Sequence, residues 1–120
     1  DQVCALGDEC LGKPGTPEGQ RTMLTRLAGH TVSFYTAVSI VGPGGARYEH
    51  LDKTRCVFRA LSADDIEAYV AAEPATDCAG GFKSESLGMT LLERLETVDP
   101  TALIGLPMIW VAATLRALDA

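Results

Sequence analysis

The sequence predicts one domain that mixes strands and helices, of the α/β or α+β class. Residues 31–41 and 46–61 are long runs rich in β-branched and aromatic side chains. Gly42-Pro43-Gly44-Gly45 splits them, the pattern of a hairpin. Thr16-Pro17-Glu18 has the signature of a helix start: a hydroxyl N-cap, a proline at the first helical position and an acid in the first turn. The length of 120 residues suits one core, and such a chain buries roughly two-thirds of its unfolded surface. A hydrophobic share of 47% beside 22% charged residues fits a globular chain and excludes global disorder. The net charge of −6 excludes whole-surface attraction to a nucleic acid polymer or an anionic membrane. A local basic pocket for one phosphorylated molecule stays compatible with it.

Each element has its own signal. The chain opens Asp1-Gln2-Val3-Cys4-Ala5-Leu6, without Met or a signal-peptide pattern, and reads as the interior of a strand. The expectation is a fragment or a processed chain. Gly7-Asp8-Glu9 and Leu11-Gly12-Lys13-Pro14-Gly15 are turns. The helix after Thr16 carries an apolar stripe of Met23, Leu24, Leu27 and Ala28, and Gly29 ends it. The two strands follow. Ser62 with Asp65 makes a capping box for a short helix through Ile66, Tyr69 and Val70, which Glu73-Pro74 closes. Residues 76–88 form a glycine-rich loop, residues 89–95 a further strand, and residues 107–118 a terminal helix with Trp110 and Leu115. The longest apolar candidate, residues 103–118, contains Pro107 and Arg116 and does not span a membrane.

Chemistry is sparse in the spacing. Cysteines 4, 10, 56 and 78 contain no C-x-x-C, which argues against structural zinc. Cys56, in Cys56-Val57-Phe58, reads as a buried thiol acting as a small hydrophobe, and the expected compartment is a reducing cytoplasm. Residues 7–13 satisfy G-x-x-x-x-G-K, but the next residue is Pro14, which has neither the hydroxyl nor the N–H that a phosphate loop needs. Asp8 and Glu9 would also face the phosphates. The phosphate-loop reading fails, and Lys13 survives as a lone cation in a tight turn. His30 and His50 neighbour no obvious nucleophile and carry little catalytic weight. Lys83 and Glu85, two residues apart on an expected extended segment, should project to one side beside flexible glycines. An exposed ion pair explains that pattern equally well. Asp1 heads an apolar strand, where carboxylates can serve ligand chemistry or simply be solvated.

Taken in order, the segments resemble the Maf family of nucleoside triphosphate pyrophosphatases. The resemblance rests on Asp1-Gln2-Val3, Leu11-Gly12-Lys13-Pro14 and Thr36 within Phe34-Tyr35-Thr36-Ala37. It continues through Leu61-Ser62 to Val70, Cys78-Ala79-Gly80-Gly81-Phe82-Lys83-Ser84-Glu85, and Gly105-Leu106-Pro107. It covers essentially the whole chain, residues 1–120, as the C-terminal portion of the family's single domain. Asp-Gln-Val and Phe-Lys-Ser-Glu look like the branch acting on 7-methyl-GTP rather than on dTTP and UTP.

The resemblance implies an α/β fold in which helices flank a mixed, twisted sheet, similar to that of inosine triphosphatases, usually in a homodimer. It implies hydrolysis between the α and β phosphates of a nucleoside triphosphate with a divalent cation, Mg²⁺ or Mn²⁺. By the same resemblance Asp1 is the catalytic proton acceptor, Lys13 and Lys83 bind substrate, and Gln2 and Glu85 set base specificity. Glu85 suits that role physically. Guanine offers adjacent N1–H and amino donors to a carboxylate, and N7 methylation adds positive charge. Uracil and thymine present oxygen lone pairs instead. Two departures stand out: Ser86 replaces the family's usual Gly, and the family's first strand and its Ser-x-x-Arg-Arg-type loop have no counterpart here. The alternative reading is a catalytically inactive remnant that binds a nucleotide or a protein.

Overall fold

The computed structural model describes residues 2–119. Five strands form one sheet: β1 (Gln2–Leu6), β2 (Glu9–Leu11), β3 (Thr31–Val41), β4 (Arg47–Phe58) and β5 (Leu92–Glu96), in the order β2-β1-β3-β4-β5. Four helices accompany it: α1 (Pro17–Leu27), α2 (Ala63–Ala72), α3 (Pro100–Ile104) and α4 (Met108–Asp119). The expected combination of sheet and flanking helices is present. The sheet itself differs from the mixed one anticipated, since every pairing among the described residues is antiparallel. β2 and β3 run the same way, but β1 lies between them, so the α1 crossover creates no parallel pair.

The expected caps form. Thr16 Oγ1 accepts the Gly19 N–H at 2.9 Å at the start of α1. Thr16→Ala is expected to cost about 1 kcal/mol, read as a lower midpoint in thermal unfolding. Ser62 and Asp65 exchange hydrogen bonds of 3.0 Å, the capping box of α2. Gly29 has φ 73° and follows the last turn of α1. Two elements escape sequence reading because they are short. β2 has three residues and α3 has five, too few for any periodicity to show. The strand expected over 89–95 starts at Leu92, because Leu87–Leu91 winds into a 3₁₀ turn. β4 stops at Phe58, where its pairing with β5 also stops.

One face of the sheet carries the core. Val32, Phe34, Cys4, Cys56 and Phe58 pack against Leu24 and Leu27 of α1, Ile66, Tyr69 and Val70 of α2, and Phe82. The Phe82 ring meets those of Phe34 and Phe58 edge-on, with centroids 5.5 and 5.2 Å away. Cys56 is the buried thiol expected of it. Burial pushes the Cys4 and Cys56 thiols up to about 12, so both stay protonated and inert. The antiparallel register aligns Gln2, Thr36 and Asp52 in one row across β1, β3 and β4, on the same face. That row receives α3.

Candidate functional site

A cavity of about 360 Å³ opens where the row of Gln2 and Thr36 meets the loop after α2. Gln2 lines it from β1 and Lys13 from the turn after β2; Phe34 and Phe82 supply apolar surface. Asp77 and Glu85 line it from the loop, and Leu103 from α3. An apolar surface beside a few convergent charged groups is the usual make-up of a small-molecule site.

Gln2 is held in a definite orientation. Its Nε2 donates to Leu103 O at 2.9 Å, to Thr36 Oγ1 at 3.1 Å and to Ala102 O at 3.3 Å. Two of these partners are carbonyls, which can only accept, so the NH₂ of the amide must face them. Oε1 accepts no hydrogen bond among the described residues. Thr36, buried on β3, donates to Ala102 O at 2.9 Å and so ties α3 to the sheet. α3 is in turn fixed to α4 through Asp99, which is 2% exposed. Asp99 Oδ1 accepts from the Thr101 N–H and hydroxyl at 3.0 and 2.6 Å, and Oδ2 accepts from the Ile109 N–H at 2.9 Å.

The opposite wall is the loop from Ala75 to Leu91. Gly80 adopts φ +76°, and a Cβ there would lie 2.8 Å from Phe34 Cζ. Glycine is required on both counts. Gln20 of α1, fully buried, staples this loop: Nε2 donates to Gly81 O at 2.8 Å and Oε1 accepts the Ala75 N–H at 3.2 Å. Nothing in the spacing singled out Gln20; a glutamine inside an apolar helical stripe was its one signal.

The structure brings Gln2, Lys13 and Glu85 to one cavity from three separate segments. Lys83 does not line it; the backbone N–H of Lys83 donates to Tyr69 Oη at 2.9 Å. The expected extended segment is instead a turn, with Ser86 N–H and Gly88 N–H both reaching Lys83 O. Alternation therefore does not govern Lys83 and Glu85. Ser86 has φ −134°, an ordinary value, so the serine at this position carries no left-handed strain. Asp1 lies outside the described residues. Asp77 was missed by the sequence reading, although its loop was singled out. Burial, with the Asp77 charge beside it, pushes the Cys78 thiol up, so this cavity residue is no ready nucleophile. His50 Nε2 donates to Asp52 Oδ2 at 2.8 Å, and the ring stacks on Trp110 with centroids 5.0 Å apart. It joins α4 to β4 through that stack. Among the described residues, no three His, Cys, Asp or Glu side chains are grouped so as to hold a metal ion.

The profile of the Maf-like proteins matches residues 1–118. The chain belongs to the Maf-like protein family. Maf-like relatives named 7-methyl-GTP pyrophosphatase include one from Xanthomonas axonopodis pv. citri, 54% identical over 117 residues, 97% of this chain and 60% of the relative. One from Xanthomonas campestris pv. campestris is 53% identical over 116 residues, again 97% and 60% of the two chains. Another, from Aromatoleum aromaticum, is 50% identical over 119 residues, covering 98% of this chain and 61% of its own. This Maf-like chain thus spans about 60% of the length of the curated relatives it matches. No helix among its described residues is long and apolar enough to cross a membrane.

Proposed function

We propose that this chain forms the base-recognising part of a nucleoside triphosphate pyrophosphatase acting on 7-methyl-GTP. The observation that carries the reading is the convergence of Gln2, Lys13 and Glu85, 83 residues apart in sequence at the extremes (85 minus 2), on one cavity. The relatives' shared name supports the substrate. In this reading the ammonium of Lys13 meets the triphosphate as a point charge. Glu85 accepts from the N1–H and amino group of the methylated guanine, and Gln2 Oε1 adds a second fixed acceptor. Asp1 takes a proton from the attacking water as the α–β anhydride bond breaks, releasing the monophosphate and pyrophosphate. Lys83 contributes its charge from the loop beside this pocket.

A divalent cation, Mg²⁺ or Mn²⁺, belongs to the proposal. The cation would enter as part of a metal–nucleotide complex, held mainly by phosphate oxygens and water. It would offset phosphate charge there. The net charge of −6 supports a single nucleotide as partner rather than a polymer or a membrane surface. The four cysteines are unpaired, with Cys4 and Cys56 buried in the core, which supports a reducing compartment, the cytoplasm. A homodimer is supported by α4, which buries no residue and exposes Ile109, Leu115 and Leu118. Ile109→Asp is expected to shift a dimer to monomer in light scattering after size-exclusion chromatography; an unchanged mass would remove α4 from the interface.

Pyrophosphate release from a panel of nucleotides tests the activity. Glu85→Gln is expected to lower hydrolysis of 7-methyl-GTP at least tenfold, about the worth of one charge-assisted hydrogen bond. Hydrolysis of UTP should change little. An equal loss on both substrates would sink the role of Glu85. No release from any nucleotide would favour the non-catalytic, nucleotide-binding alternative.

A further inference from the structure

Tyr69 and Glu73 stand one helical turn apart at the end of α2, and both reach the loop that carries Glu85. Lys83 N–H donates to Tyr69 Oη at 2.9 Å, and Tyr69 Oη donates to Glu73 Oε1 at 2.7 Å. The other carboxylate oxygen, Oε2, accepts from the Ser86 hydroxyl and from the Leu87 N–H, the latter at 3.4 Å. The loop is therefore pinned immediately before and immediately after Ser84-Glu85. Neither Tyr69 nor Glu73 lines the cavity. We propose that Tyr69 and Glu73 are positioning residues that set base discrimination by fixing the Glu85 loop before a nucleotide arrives.

Several features make this latch more than ordinary packing. Tyr69 is 5% exposed and belongs to the core cluster that includes Ile66, Val70 and Phe82, so its ring cannot follow the loop if the loop moves. Burial pushes the Tyr69 phenol up, which keeps it protonated as the donor to Glu73. The Glu73 backbone carbonyl accepts from Gln20 Nε2 at 3.3 Å, which ties the end of α2 to α1 as well. Each loop contact is thus referred to the two helices that build the core. Ser86 gains a function here: its hydroxyl supplies one of the bonds that a glycine at this position could not make. A carboxylate held in place before binding discriminates between donor and acceptor edges at full strength. A mobile one can swing away from an unfavourable edge and must be ordered by the favourable one.

The inference rests on the proposed 7-methyl-GTP reading, and its test separates the two. In the full chain, Tyr69→Phe removes one oxygen from a buried ring, and Ser86→Ala removes one exposed hydroxyl without touching the core. Each is expected to raise KM for 7-methyl-GTP about tenfold while kcat stays within twofold. KM for UTP should stay within twofold, so the ratio of kcat/KM values falls about tenfold. The Lys83 and Leu87 amides should exchange with deuterium at least tenfold faster in Tyr69→Phe. Should Tyr69→Phe melt near room temperature, Ser86→Ala decides alone. A wild-type chain that releases pyrophosphate from 7-methyl-GTP, with variants that leave the ratio unchanged, would overturn the latch and leave the activity standing. A wild-type chain that hydrolyses no nucleotide would overturn the activity and the discrimination built on it. In that case unchanged amide exchange would remove the latch as well.

Discussion

Gly88→Ala is expected to destabilise the fold by about 3 kcal/mol and to lower the unfolding midpoint by about 10 °C. A Cβ on Gly88 would lie 2.2 Å from Lys83 O, 2.6 Å from Lys83 C and 2.7 Å from Phe82 Cδ2. The first two are backbone atoms, which no rotamer change can move aside. The Gly88 N–H donates to that same Lys83 O at 2.9 Å, so separating the two breaks the bond that closes the turn. Phe82 cannot retreat either, because its ring sits between those of Phe34 and Phe58. The damage reaches the candidate site at once, since the closed turn contains Glu85. Thermal unfolding of Gly88→Ala beside Gly12→Ala checks this. Gly12 has open space around its Cβ position and no unusual φ, so its variant should stay within about 0.5 kcal/mol of the parent. A Gly88→Ala midpoint within 2 °C of the parent's, well inside the shift a ~1 kcal/mol loss gives, would refute the account.

The legible and illegible parts of this molecule divide along physical lines. The caps at Thr16 and Ser62 and the runs 31–41 and 46–61 were readable because each is a local pattern at least a full turn or several strand periods long. The thiol of Cys56 was readable from its apolar neighbours. β2 and α3 were not, because three and five residues give no period. Among site residues, Gln2 came only from the ordered resemblance, while Lys13 and Glu85 were also singled out locally, in a tight turn and a glycine-rich loop; nothing in local spacing brings the three together. Only the pairing of β1 with β3 and the packing of the loop against α1 do that. Reading Lys83 with Glu85 assumed an extended segment, and the turn closed by Gly88 breaks the assumption. Gln20, Tyr69 and Glu73 were missed as site-building residues for one shared reason. Their work is tertiary: each satisfies backbone or side-chain groups that lie far away in sequence or across a chain turn, and composition carries no trace of it.

Asp99→Ala is expected to cost about 3 kcal/mol at pH 7, because it removes three hydrogen bonds to one buried carboxylate. Two of these cap α3 and the third holds the first turn of α4, where Thr101 Oγ1 also accepts the Met108 N–H at 2.9 Å. With the carboxylate gone, α3 loses its N-terminal cap, and the Ala102 and Leu103 carbonyls that orient Gln2 lose their support. Weaker nucleotide binding should therefore accompany the loss of stability. The pH dependence follows from the same contacts. Burial alone would raise the Asp99 carboxyl, yet the bonds from the Thr101 hydroxyl, the Ile109 N–H and the Thr101 N–H hold it below the ordinary value, with help from His50. A depressed folded value means that the contribution is complete above the unfolded value, about pH 4, and is lost as pH falls through the folded one. The alanine variant has no such group to protonate. Its stability deficit in urea unfolding should thus be constant from pH 7 to about pH 5 and narrow below about pH 4. A deficit that widens in acid would mean that Asp99 is stabilised in its protonated form, and the cap as described would be wrong.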